Sequence, residues 1–125
     1  MYYQSSRGQS TAVKAAEAIV MGIAPDGGLF VPDFIPRLKN DFMTAMSQMT
    51  YQQRAEAILT LYLTDFTADE IDACVNKAYN KEKFDHSSIA PLVKVEEGFF
   101  SLELWHGPTS AFKDMALQLL PHLMT

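Results

Sequence analysis

One lysine, Lys113, lies in a segment whose residue types are suited to covalent chemistry. The segment covers residues 106–114 and reads HGPTSAFKD. If Ser110 is the N-cap of a helix, Lys113 falls in the first turn, where unpaired N–H groups and the macrodipole disfavour a cation. An apolar stripe beside the amine desolvates it, so both effects favour the neutral form. The expected stripe is Phe112, Met115, Ala116, Leu119, Leu120 and Leu123.

A neutral lysine amine is a nucleophile that can form a Schiff base with an aldehyde such as pyridoxal phosphate. The rigid, side-chain-poor turn before Thr109 lets a flat ligand approach the backbone, and Thr109 and Ser110 supply hydroxyls beside it. In the alternative interpretation, Lys113 extends into water and pairs with a carboxylate such as Asp114. Spacing alone favours this alternative.

The elements that must position this segment begin with two short strands and a helix. Residues 2–6 and 29–31 have strand-like composition, and an Asp-Gly-Gly turn at 26–28 precedes the second of them. A helix is expected over about residues 10–21 and ends at Gly22. Its buried face is predicted to contain Val13, Ala16 and Val20.

Two further helices are marked by capping boxes, in which a threonine and a Gln or Glu three positions later satisfy each other's backbone N–H groups. The two pairs are Thr50 with Gln53 and Thr67 with Glu70. They predict helices over about 50–63 and 67–79. The second helix is expected to bury Ile71, Cys74, Val75 and Ala78.

A β-hairpin is predicted near the end of the chain. Residues 92–96 and 99–105 have the composition of strands, and Glu97-Gly98 separates them. No repeat or low-complexity linker interrupts the sequence, so one structural unit is expected. The predicted fold class is mixed α/β and helix-rich, with helices and a short hairpin.

The composition excludes several classes of protein. The 125 residues are 48% hydrophobic, which is enough for a core, and the net charge of −5 argues against a nucleic-acid partner. The longest apolar stretch, AIVMGIA, is too short to cross a bilayer, and the N-terminus does not resemble a secretory signal. A cytoplasmic protein without a membrane partner is therefore expected.

The cysteine and the histidines indicate structural roles. Cys74 is the single cysteine and lies on an apolar helix face, so it is expected to be a core residue in a reducing compartment. His86, His106 and His122 lack the spacing of metal ligands, and we expect no metal site. His106, next to the lysine segment, is interpreted as a hydrogen-bonded structural histidine.

Three motifs resemble the threonine synthase family, pyridoxal-phosphate enzymes of the tryptophan-synthase-β-like fold. HGPTSAFKD at 106–114 is similar to the family's cofactor-lysine motif, APDGGLFVP at 24–32 to its N-terminal motif, and SRG at 6–8 to a further one. They follow the family's order and extend over essentially the whole chain. The resemblance implies that residues 1–125 form the N-terminal part of that fold, with the cofactor domain beginning at about 105–125.

The resemblance also implies an activity and its residues. Lys113 would bind pyridoxal 5'-phosphate covalently and then move protons on the substrate, O-phospho-L-homoserine. This carbon–oxygen lyase reaction adds water and releases L-threonine and phosphate. Phe112 would line the cofactor pocket, although a core position in the apolar stripe is the alternative, and Asp114 would be a structural or electrostatic partner.

Three further residues are candidate substrate contacts. Thr109 and Ser110 would offer hydroxyls, and Arg7 would bind the substrate's phosphate or carboxylate as a forked donor. A surface or interdomain salt bridge is the alternative for Arg7. Neither interpretation of the arginine is favoured by the sequence.

The chain is shorter than enzymes of this family. No glycine follows Gly107, so the expected glycine-rich loop for the cofactor phosphate would lie after Thr125. We therefore expect an N-terminal fragment that is inactive alone and self-associates through its apolar terminal helix. Two alternatives stay open. One is a related phospho-lyase that releases an α-keto acid, and the other is an interaction module with a methionine surface at Met43, Met46 and Met49, although such spacing more often means core.

Overall fold

The computed structural model describes residues 1–124, so the last residue of the predicted unit, Thr125, lies outside the described part. The elements in chain order are β1 (Tyr3–Ser5), α1 (Ala15–Met21), β2 (Phe30–Pro32), α2 (Asn40–Met46), α3 (Tyr51–Tyr62), α4 (Ala68–Ala78), β3 (Leu92–Glu96), β4 (Phe99–Leu102), α5 (Asp114–Leu117) and α6 (Leu120–Leu123). The predicted mixed, helix-rich α/β class is confirmed. No helix in residues 1–124 is long and apolar enough to cross a membrane.

The strands form two small antiparallel sheets. β1 pairs with β2, with Tyr3 opposite Pro32 and Ser5 opposite Phe30, and this pairing brings the two N-terminal motifs together. β3 pairs with β4 as the predicted hairpin, and Gly98 supplies a positive φ of 75° at the turn. The second strand is shorter than predicted, because β4 ends at Leu102.

The core is built on α4, whose four predicted residues are all buried. Both capping boxes are present: the Thr50 and Thr67 side chains accept from the backbone N–H groups three positions later, at 3.2 and 3.3 Å. Cys74 is buried, as predicted, and burial raises the pKa of its thiol. At the end of α4, Tyr79 packs edge-on against Tyr51, with ring centroids 4.9 Å apart.

The first helix differs from its prediction, because it begins at Ala15 instead of about residue 10. Val13 exchanges two backbone hydrogen bonds with Tyr3, at 2.8 and 3.0 Å, and this bridge keeps the preceding segment extended. The predicted buried face is also wrong. Ala15 and Ala18 are buried, whereas Val20 is 63% exposed.

In the sequence, the only indication of the helix α2 is the three-residue spacing of Met43, Met46 and Met49. None of its residues is buried, and Met43 is 57% exposed, so the expectation that these methionines form core is wrong for this helix. Arg54 of α3 joins α2 to the next helix by donating to the Met46 carbonyl at 2.8 Å.

Candidate active site

The lysine segment is a turn-rich loop, which we call the lysine loop (residues 107–113), followed by α5. The predicted helix start is wrong by three residues, since α5 begins at Asp114. Ser110 has a φ of +55°, in the left-handed region, whereas an N-cap has extended backbone. Lys113 is therefore the residue that precedes α5, with φ −61° and ψ −23°.

The lysine loop is closed by Asp114. The backbone N–H of Thr109 donates to Asp114 Oδ2 at 2.8 Å, and the Thr109 hydroxyl lies 2.9 Å from both carboxylate oxygens. Asp114 is only 1% exposed, so these bonds replace the water that its carboxylate has lost. We call this arrangement the Asp114 clamp. It confirms a structural role for Asp114.

The clamp explains the glycine in the motif. A Cβ atom on Gly107 would lie 2.5 Å from the Asp114 Cβ and 2.7 Å from its Oδ2, closer than side chains tolerate. The side-chain-poor turn therefore makes room for Asp114. This internal use of the turn was not predicted from the sequence, because it depends on how the loop folds back.

Lys113 and Phe112 face outward from the clamped loop. Phe112 is 67% exposed, so its alternative interpretation as a core residue is wrong, whereas Leu119 is buried. Lys113 is exposed, and its amine has no hydrogen bond or ion pair with residues 1–124. Lys113 therefore extends into water, as in its alternative interpretation, but it does not pair with Asp114, whose carboxylate accepts from Thr109. The expected desolvation of its amine by the apolar stripe is wrong, because Lys113 precedes the helix and is exposed.

An apolar groove of about 550 Å³ adjoins the loop. Its lining includes Phe112, Met115 and Leu119 from the end of the chain and Tyr51, Leu59 and Tyr79 from α3 and the end of α4. Lys113 and its neighbour Phe112 fit a flat aldehyde such as pyridoxal phosphate. The Lys113 amine can form the bond to the aldehyde, and the Phe112 ring offers an apolar face.

His106 anchors the start of the lysine loop. Its Nδ1 lies 2.6 Å from Asp85 Oδ1 and its Nε2 lies 2.8 Å from Glu103 Oε2. The hydrogen bond with Glu103, and then that with Asp85, raises the pKa of His106, since both stabilise the imidazolium. The predicted structural role of this histidine is confirmed. No group of three or more His, Cys, Asp or Glu side chains within residues 1–124 is arranged to hold a metal ion.

A second aspartate, Asp26, joins the two N-terminal motifs. Its carboxylate accepts hydrogen bonds from the Ser5 hydroxyl at 2.6 Å, Gly28 N–H at 2.9 Å and Gln9 N–H at 3.0 Å. The Ser5 bond is the main cause of the lowered pKa of Asp26, with the Gly28 bond next. We call these residues the Asp26 cluster.

Arg7 belongs to the Asp26 cluster through its side chain. Its Nη1 donates to the Asp26 carbonyl oxygen at 2.9 Å. This bond holds Arg7 against the turn and is not the salt bridge that the sequence offered as an alternative. The structure joins Arg7 to Asp26 by a hydrogen bond, and Thr109 to Asp114. Within residues 1–124, no hydrogen bond joins these two groups.

Sequence reasoning missed Ser5 and Asp26 as partners. Their separation of 21 residues has no periodic signal, and only the strand pairing brings them together. An aspartate before two glycines is the signal of an Asx turn, in which the side chain accepts from its own backbone two residues later. That signal predicts the bond to Gly28 but not the bond to Ser5.

Comparisons with known proteins agree with this architecture. The family model described as threonine synthase N terminus matches residues 2–79. Threonine synthase of Methylobacillus glycogenes is 40% identical and is matched over 98% of this chain and 27% of its own length. Threonine synthase of Schizosaccharomyces pombe is 39% identical and is matched over 97% of this chain and 24% of its own length.

Solved structures match the same region. The pyridoxal-phosphate-bound threonine synthase of Brucella melitensis superimposes with a TM-score of 0.93 at 37% identity, covering 99% of this chain and 26% of that one. Yeast threonine synthase gives a TM-score of 0.88 at 34% identity, covering 98% of this chain and 25% of the yeast chain. The chain therefore spans about a quarter of the length of the relatives that it matches.

Proposed function

The chain belongs to the threonine synthase N-terminus family, and from this membership we propose that it is the amino-terminal part of a threonine synthase. The reaction is the conversion of O-phospho-L-homoserine and water to L-threonine and phosphate. Residues 1–125 form the N-terminal domain, which reaches the start of the cofactor domain at about 105–125. The cofactor is pyridoxal 5'-phosphate, which is bound in the Brucella melitensis threonine synthase.

The main observation behind this proposal is that the Lys113 amine is exposed and has no polar partner within residues 1–124. It lies at the end of a loop that the contacts between Thr109 and Asp114 hold in shape. An amine without a polar partner in the described chain can bind an aldehyde without first breaking an ion pair. Phe112, 67% exposed beside it, offers an apolar face to a planar ring. Both side chains are presented outward, which supports a cofactor-binding role for the pair.

Each residue has a distinct part in the proposed reaction. Bound pyridoxal phosphate supplies an electron sink, its protonated pyridine ring. Lys113 Nζ binds the aldehyde carbon and, once the substrate's amine has displaced it, accepts and returns protons on the substrate. Of the two candidate hydroxyls, that of exposed Ser110 is the better substrate donor, because the Thr109 hydroxyl donates to Asp114.

Arg7 is proposed as a substrate contact on similar grounds. Its Nη1 donates to the Asp26 carbonyl, which leaves the rest of an exposed guanidinium for an anion such as phosphate.

We further propose that the protein acts in the cytoplasm without nucleic-acid partners. The chain by itself is proposed to be inactive and to self-associate, since Leu117, Leu120 and Met124 are exposed.

Covalent mapping tests the cofactor role. The full-length enzyme containing this chain is incubated with pyridoxal phosphate, reduced with borohydride and mapped by peptide mass spectrometry. We expect the adduct on Lys113, and we expect Lys113→Ala to lose it together with at least about 10²-fold of phosphate release. The matched control is Lys94→Ala, which removes another exposed lysine. Adducts scattered over the other lysines, with none on Lys113, would contradict the proposal.

A further inference from the structure

We propose that Asp114 is a positioning residue, whose clamp on Thr109 fixes the backbone of Lys113 so that the amine projects from the lysine loop. This inference rests on the proposed cofactor role of Lys113. The motif divides into two sets. Gly107, Thr109 and Asp114 contact one another inside the loop, whereas Phe112 and Lys113 are exposed. The inner set therefore determines where the outer set lies.

The conformation of Ser110 shows that the loop must be held. A non-glycine residue at a φ of +55° is strained, because its Cβ approaches the following carbonyl. Its backbone N–H donates to the Gly107 carbonyl at 3.1 Å, which closes a tight turn directly after the glycine. The contacts of Thr109 with Asp114 tie this turn to the start of α5, on the other side of Ser110, and offset the strain.

The far side of the lysine is fixed as well. The buried Tyr79 hydroxyl donates to the Met115 carbonyl at 2.6 Å, which ties the first turn of α5 to the end of α4. Asp114 holds the loop that precedes Lys113, and Tyr79 holds the helix that follows it. The Lys113 backbone is thus fixed between two anchors while its side chain keeps its freedom.

An aspartate is needed for this geometry. Thr109 presents two donors, a backbone N–H to Oδ2 and a hydroxyl that reaches both carboxylate oxygens. A carboxylate accepts on both oxygens, whereas an asparagine at position 114 would accept on one and place a donor where the other was. Asp114→Asn therefore opens half of the clamp with almost no change of volume.

Nuclear magnetic resonance of the chain tests the clamp directly. The variants are Asp114→Asn, Thr109→Val and the conservative Thr109→Ser, with Thr60→Val as the matched control. Thr60 is an exposed threonine of α3 whose hydroxyl donates to the backbone carbonyl of Glu56 in the same helix. In Asp114→Asn and Thr109→Val we expect the backbone of Ser110 to leave its positive φ. The three-bond coupling constant between its amide and Cα hydrogens, which depends on φ, reports this change. In Asp114→Asn we expect the Thr109 amide to exchange at least about tenfold faster. Thr109→Ser and Thr60→Val are expected to match the parent chain.

Pyridoxal phosphate and borohydride, applied to the full-length enzyme with the same substitutions, test whether the clamp serves the lysine. We expect the share of adduct on Lys113, relative to Lys39 and Lys94, to fall at least about threefold in Thr109→Val and to return in Thr109→Ser. Equal thermal unfolding midpoints for these variants separate positioning from loss of fold. Thr109→Val keeps the test valid if Asp114→Asn does not fold.

The outcomes are distinguishable. A loop that loosens while the Lys113 share is unchanged would overturn the positioning role and leave the cofactor role intact. A loop that keeps its conformation in both Asp114→Asn and Thr109→Val would overturn the clamp. If the parent enzyme shows no preference for Lys113 although the loop loosens in the variants, the clamp is supported and the proposed function fails.

Discussion

The Asp26 cluster and the Asp114 clamp use the same device in two parts of the molecule. In each, one aspartate accepts from a backbone N–H and from a Ser or Thr hydroxyl. In each, a glycine is pressed against the group, Gly28 against the Ser5 hydroxyl and Gly107 against Asp114. What differs is the length of chain that each aspartate joins.

The Asp26 carboxylate connects residues 17 and 21 positions away, whereas Asp114 connects to Thr109, only five positions away. A non-local contact stabilises the pairing of β1 with β2 and with it the fold. A local contact shapes a loop without holding distant segments together. The N-terminal motifs therefore maintain the architecture, whereas the lysine motif maintains the shape of the loop that carries Lys113.

Substitution of Gly28 should have the largest effect on stability. A Cβ atom at this buried glycine would overlap the Ser5 hydroxyl and crowd the Arg7 backbone N–H, at 3.1 Å. Gly28→Ala is expected to lower the free energy of unfolding by about 3 kcal/mol, because the overlap lies between Ser5 of β1 and the turn that leads into its partner strand β2, so relief would require displacing that pairing. Urea unfolding followed by circular dichroism measures it.

Gly27→Ala is the matched control for this prediction. A Cβ there would meet only the tip of the flexible Arg7 side chain, so the cost comes from the positive φ of 76° and is about 1 kcal/mol. An equal loss in both variants would show that turn conformation, and not the contact with Ser5, determines the role of this motif.

Local signals explain which parts of the fold were predictable from the sequence. Both capping boxes, the buried face of α4 and the β3–β4 hairpin depend on residues a few positions apart, and all were predicted correctly. The start of α1 was not, because the bridge between Val13 and Tyr3 overrides a helical periodicity. Tertiary pairing of this kind leaves no periodic trace in the sequence.

The candidate site divides in the same way. Residue types and motif order predict Lys113 and the residues around it as the candidate site. The start of α5 was misplaced, since Ser110 has the composition of an N-cap but adopts a left-handed conformation that only the Asp114 clamp explains. The exposure of Phe112 follows from that shift. Predicting it would have required knowing that Asp114 folds back onto Thr109.

Gly107→Ala should have a smaller and more local effect than Gly28→Ala. The new Cβ atom would displace the Asp114 side chain, but the loop lies at the surface and can open without separating strands. We expect a loss of about 1.5 kcal/mol in the free energy of unfolding, together with faster exchange of the Thr109 amide. Hydrogen exchange measured residue by residue checks this. A loss as large as that of Gly28→Ala would break the distinction between the two regions.

The pH dependence of the Asp26 cluster should be the smallest effect. The Ser5 hydrogen bond, and then the Gly28 bond, lower the pKa of Asp26 below its ordinary value of 3.8. Its contribution to stability is therefore complete above that value and is lost as pH falls through the lowered pKa. The difference in urea midpoint between the parent chain and Asp26→Asn should be larger at about pH 6 than at about pH 2.5.

Two serine variants test whether the Ser5 hydroxyl causes this pH dependence. Ser5→Ala removes the main cause of the lowered pKa of Asp26. In that background we again compare the urea midpoints with and without Asp26→Asn. The difference between them should vary less with pH than it does in the parent chain. Ser87→Ala, at an exposed serine outside the cluster, should leave the parent's pH dependence unchanged. An undiminished dependence in the Ser5→Ala background would show that Gly28 and Gln9 suffice to hold the carboxylate. The Asp26 cluster would then resemble the Asp114 clamp in its backbone contact alone.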